Sequence, residues 1–229
     1  MKREGREATK RQSGTKSCST LFESAFTAAR VVVITWRMTR EEALALLREY
    51  TQSESLLKHA LAVEAAMRHY AARFGENVET WGVIGLIHDF DYERWPQPPD
   101  HTGQGARVLR ERGVDEEIVG AMLSHADWNW DQYPLDRPLR KSLFAVDELC
   151  GFIMAVAYVR PEKLAGMTAS SVRKKMKQKS FAVAVKREDI ERGAQLIGLS
   201  LDEHILCVIG AMQGIAMELG LTPGQVKDS

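Results

Sequence analysis

His59, the doublet His88-Asp89, His101, His125 and Asp147 are the side chains in this sequence with the means to share a metal ion. Successive members stand 29, 13, 24 and 22 residues apart, so each falls on or beside a different structural element. His59, His88 and His125 lie on or at the edge of an apolar face, and Asp147 stands in the middle of a strongly apolar stretch. A single inward histidine is ordinarily a satisfied core residue. A buried carboxylate is costly unless it is paired, hydrogen-bonded or bound to metal. Several such groups turned inward together would build a poor apolar core, and one divalent cation explains their shared direction. Imidazole with carboxylate suits Mn, Fe, Co, Ni or Zn better than Ca, and Mg remains a candidate for the carboxylate oxygens.

The elements that must position these residues read as helices from Met38 onward. Thr39-Arg40-Glu41-Glu42 ahead of an apolar run predicts a capped first helix. Thr51-Gln52-Ser53-Glu54 predicts a capping box for a second, with Leu56, Ala60, Val63, Met67 and Tyr70 as its stripe. Short helices are expected over Glu79–Asp89, Thr102–Arg112 and Asp115–Ala126, with a loop forced by Pro96, Pro98 and Pro99. Pro138 suits the first position of a long helix reaching Val159. Ser200 to Glu203 opens the last helix, which Gly220 closes. Only Phe181–Val185 hints at strand alternation. The predicted class is all-α.

Composition narrows the partners. Lys+Arg and Asp+Glu both number 31, so the formal charge is zero, which speaks against a general nucleic-acid coat. No apolar run approaches the ~20 residues that span a bilayer. Cys18, Cys150 and Cys207 form no disulfide, zinc or redox pattern, in keeping with a reducing cytoplasm. At 229 residues with 45% apolar side chains, one sizeable core is expected. Residues 1–37 read as a disordered extension, polar to Thr20 and without apolar periodicity. Val31-Val32-Val33-Ile34 is too short for a targeting signal and lacks a small-residue cleavage site. The domain is expected over 38–229.

The ordered set His59, His88-Asp89, Asp147 resembles the HD-domain superfamily of metal-dependent phosphohydrolases. Its most recognisable segment here is Gly85-Leu86-Ile87-His88-Asp89, and the likeness covers roughly residues 50–160. The resemblance implies an HD-like helical bundle with the metal site between helices and one ion on His59, His88, Asp89 and Asp147. It also implies a second ion for members that add histidines where His101 and His125 stand, with Asp89 as the bridge. The activity implied is hydrolysis of a phosphate ester of a small molecule or nucleotide by activated water, which Asp89 or Asp91 would orient. Phe90-Asp91-Tyr92-Glu93 follows the doublet, where the cyclic-dinucleotide branch has Ile-Gly-Lys, and so points away from cyclic-di-GMP. Two other functions fit the same ligands: a di-iron oxygenase of the superfamily, or a regulatory metal-binding module.

The surroundings carry weaker claims. Asp91, Glu93 and Arg94 are expected on the site's rim, where Arg94 would hold phosphate or serve as a solvated surface residue. The run with Arg173, Lys174, Lys175, Lys177 and Lys179 reads either as a solvated face or as an anion-binding edge, to which Lys186 and Arg187 would add. Trp128 and Trp130 line a pocket wall or anchor a loop. His69 is expected at the surface or core edge, and His204 in a polar first turn.

Overall fold

The computed structural model describes residues 38–224, and the expectation for residues 1–37 lies outside them. Within them the chain is helical: α1 (Arg40–Tyr50), α2 (Glu54–Phe74), α3 (Val78–Ile87), α4 (Asp100–Glu111), α5 (Glu116–Ser124), α6 (Pro138–Tyr158), α7 (Ala169–Met176), α8 (Arg187–Leu196) and α9 (Leu201–Gly214). A single 3-10 turn, Asp127–Asn129, follows α5. No strand occurs among the described residues, and Phe181–Val185 is a run of turns. No single described helix is long and apolar enough to cross a membrane.

The two longest helices, α2 and α6, pack against each other and form the centre of the bundle. α3 lies on α2, with Trp81 through Ile87 all buried. This contact is close because Gly85 has no side chain. A Cβ there would stand 2.9 Å from the Val63 carbonyl oxygen and 3.0 Å from Glu64 Cα. Gly193 does the same for α8 on α6, where a Cβ would come within 2.6 Å of Ala145 Cα. α9 packs on α2 and α6.

Helix ends mostly follow sequence rules, with informative departures. Thr39 and Glu42 form the capping box of α1, and Ser200 and Glu203 that of α9. The box expected at Thr51 does not form. Ser53 is the N-cap without a side-chain bond, and the Thr51 hydroxyl instead donates to the Phe90 carbonyl, 3.1 Å away. Glu93 supplies the cap from outside, its carboxylate accepting from the backbone N–H groups of Gln52 and Ser53. α9 ends at Gly214, and turns rather than helix lead to Gly220. His204 is buried, not in an exposed polar turn. Its Nδ1 accepts from the Tyr70 hydroxyl of α2 at 2.6 Å, and its Nε2–H donates to the Ala145 carbonyl of α6 at 2.9 Å. It joins three helices.

Candidate metal centre

The α2–α6 contact brings His59 to Asp147, with Nε2 3.0 Å from Oδ1. The α2–α3 contact brings in His88, the C-cap of α3, whose Nε2 lies 3.5 Å from the same Asp147 oxygen and 3.6 Å from Asp89 Oδ2. His59, His88 and Asp89 each offer a ligand atom within 4.8 Å of the others. Asp89, His101 and His125 form a second such group. There Asp89 Oδ1 stands 3.3 Å from His101 Nε2 and 3.1 Å from His125 Nε2. The two carboxylate oxygens of Asp89 thus face different imidazole groups.

Three of the four histidines are held in one sense. His88 and His125 each cap a helix and donate Nδ1–H to a carbonyl three residues back, of Gly85 and Met122. His101 donates Nδ1–H to Asp91 Oδ1 at 3.0 Å. Carbonyl and carboxylate oxygens only accept here, so each bond fixes the proton on Nδ1 and leaves the Nε2 lone pair aimed inward. His88 Nε2 is buried with no hydrogen-bond partner. A buried polar atom so left costs stability unless something completes it. An orphaned lone pair, three further imidazole nitrogens and two carboxylates form a donor set that fits a divalent transition metal.

Without an ion, the carboxylates favour a second proton on His88 and His101, on the nitrogens that an ion would otherwise take. Burial opposes a proton on His88, but the Asp89 and Asp147 carboxylates outweigh it and raise its pKa to about 9. His101 is raised equally, against burial, by hydrogen bonds to Asp89 and Asp91. Burial would raise Asp89 and Asp147; the facing imidazoles instead hold both well below the usual carboxylate range.

The placement of His101 depends on a break in the chain. His101 and Thr102 depart from helical backbone at the start of α4, and Thr102 takes a φ of +67°. This left-handed conformation is strained for a β-branched residue. Asn129 holds it, its Nδ2 donating to Thr102 Oγ1 at 3.0 Å and to the Leu123 carbonyl at 2.9 Å. One amide therefore ties the turn that carries His101 to the end of α5 that carries His125. Neither Thr102 nor Asn129 has a motif that sequence could have flagged.

The structure brings His59, His88, Asp89, His101, His125 and Asp147 together and sets the other candidates elsewhere. Asp91 is not on a rim. It is fully buried, and both carboxylate oxygens are engaged, by His101 and by the Gly105 N–H at 2.8 Å. Arg94 stacks over Tyr50, with Cζ 4.0 Å from the ring centre, and donates to the Glu49 carbonyl. Lys174 borders a separate depression with Arg173 and Lys177, and Lys175 lies over Phe181. Arg187 is turned to the carbonyls of Phe181, Ala182 and Val185. His69 is exposed. The cavity that opens on Asp89, His101, His125 and Asp147 holds about 540 Å³, and the cations on its wall are Lys186 and Arg192. Trp128 and Trp130 both line it. Arg192 was invisible to sequence reading because it belongs to no motif and lies within α8, a short amphipathic helix.

No solved structure matches the chain. A family model described as HD domain matches residues 56–189, more than half of the sequence. That span opens three residues before His59 and holds all six converging side chains, in the order the doublet suggested. The chain belongs to the HD-domain family.

Proposed function

We propose that the protein is a metal-dependent phosphohydrolase that cleaves a phosphate ester of a small molecule or nucleotide. The observation that carries this reading is Asp89, whose two oxygens face two separate groups of imidazoles. In it, His59, His88, Asp89 and Asp147 would hold one ion, and Asp89, His101 and His125 would hold a second. Divalent ions bound there lower the pKa of water toward neutrality and offset charge on phosphoryl oxygens.

The protein's own groups do the rest. Asp91 is fully buried and does not line the cavity, whereas Asp89 borders it and is the one of the two placed to meet a water there. Asp91 keeps the His101 ring in place, with its Nε2 turned toward Asp89 and His125. Tyr92, Trp128, Trp130 and Phe144 give the cavity aromatic walls.

Purified protein loaded with Mn, Co, Fe or Zn and offered a panel of phosphate monoesters and nucleotides tests the reading. Release of inorganic phosphate, lost in Asp89→Asn, is expected. No release from any ester by a fully loaded protein refutes it, and oxygen uptake by the iron form would favour oxygenase chemistry instead. Metal content that never exceeds one ion per chain under excess metal refutes the two-ion form.

A further inference from the structure

α8 lies at the edge of the HD-domain match and brings charge of its own to the cavity. Arg192 stands three residues beyond the matched span, and Lys186 is the N-cap of α8. Both line the cavity, and α8 contributes none of the six converging ligands. Asp127, Glu148 and Asp189 line the same cavity, yet among the described residues neither cation's side chain is within ion-pair distance of an acid.

Arg192 is held by aromatic rings instead. Its Cζ lies 4.5 Å from the ring centre of Trp130 and 5.4 Å from that of Phe144. Trp130 is itself fixed, donating its indole N–H to the Ser124 carbonyl at 2.9 Å and meeting Phe144 edge-on. A guanidinium laid on an aromatic face is gripped through its plane, which leaves the N–H groups along its edges free for a planar or tetrahedral anion. The cavity, at about 540 Å³, has room for a whole small molecule beyond one phosphoryl group. The acids around it make the rest of that wall hostile to negative charge.

We infer that the substrate carries a second anionic group, a carboxylate or a second phosphate, and that Arg192 with Lys186 binds it. This rests on the phosphohydrolase reading, in which the scissile phosphoryl group occupies the Asp89 side of the cavity. The second anion then lies at the α8 wall, away from the converging histidines.

Phosphonates, which carry a P–C bond in place of the scissile ester P–O bond, test this by binding alone. The Mn-loaded full chain is titrated calorimetrically with n-alkyl, ω-carboxyalkyl and ω-aminoalkyl phosphonates over a short series of tail lengths. At the best length the carboxylate tail should bind about tenfold more tightly than the alkyl tail. Arg192→Gln should erase that advantage while its metal content and alkylphosphonate affinity stay as in the wild type. Arg192→Lys should keep part of it. Equal affinity for carboxylate and alkyl tails at every length overturns the assignment. So does tightest binding of the ammonium tail, or a loss in Arg192→Gln that falls equally on all tails. Because turnover is not measured, a protein that discriminates tails but cleaves no ester would refute the hydrolase reading and leave the anion site standing.

Discussion

A histidine can serve a metal only if its other nitrogen is engaged in the right sense, and His88, His101 and His125 each meet that condition. Helix ends supply it for His88 and His125, where the carbonyl three residues back is within reach of Nδ1. His101 precedes regular helix and depends on Asp91. Asp91→Asn cannot accept from both His101 and Gly105 with its one carbonyl oxygen. Metal affinity at the His101 and His125 side should fall about 10–100-fold, with His59 and His88 still loaded, as metal titration would read. His204 shows the opposite use of the same ring. Burial, partly offset by the bond to Ala145, lowers its pKa to about 4. The unfolded chain takes up that proton near 6.5, so between pH 6.5 and 4 the unfolded state binds more protons. Stability therefore falls as pH drops through that window, by up to about 3 kcal/mol from this residue. Urea unfolding at pH 7 and pH 4.5 should show His204→Gln less stable than wild type at pH 7 but losing less on acidification.

Between helices, spacing is set where side chains are missing. Gly85→Ala would push a methyl against the Val63 carbonyl and Glu64 Cα, backbone atoms that cannot swing aside. A loss of about 1–3 kcal/mol in urea unfolding is expected, as for other overpacked sites, with weaker metal binding because α3 carries His88 away from His59. Gly85 stood in the segment that carried the family likeness, although its packing role could not be read from it. The helices themselves were legible wherever an apolar stripe ran beside a cap, as at Thr39, Pro138 and Ser200. Thr51 misled because a hydroxyl's partner can come from anywhere: the Phe90 carbonyl is 39 residues away. The left-handed Thr102 was illegible for a similar reason, since the tie that holds it comes from Asn129. The inward set of histidines was readable because chain order survives folding. On the α8 wall, Lys186 was readable as part of an anion-binding edge, but Arg192 was not, because the close packing of Gly193 on Ala145 that seats α8 on α6 leaves no pattern in the sequence.

The six converging side chains come from α2, α3, the turn after it, the start of α4, the end of α5, and α6. Ions bound there favour the folded state by mass action. With free metal at about 100 times Kd, a site contributes about 2.7 kcal/mol, so chelation should lower Tm by roughly 5–10 °C in a chain of this size. A scan before and after EDTA treatment and metal repletion checks this, and an unchanged midpoint would contradict it. The order of these residues along the chain has a topological consequence. His59 and Asp147 are 88 residues apart in sequence and in contact, with Nε2 3.0 Å from Oδ1. An ion between them is a reversible cross-link that closes a loop over α2 to α6, while α1 and α7 to α9 remain tails outside it. Metal should therefore divide the bundle into two stability classes. Hydrogen exchange should slow most inside the loop and least in α7, making the outer helices the first to open once the ion is in place.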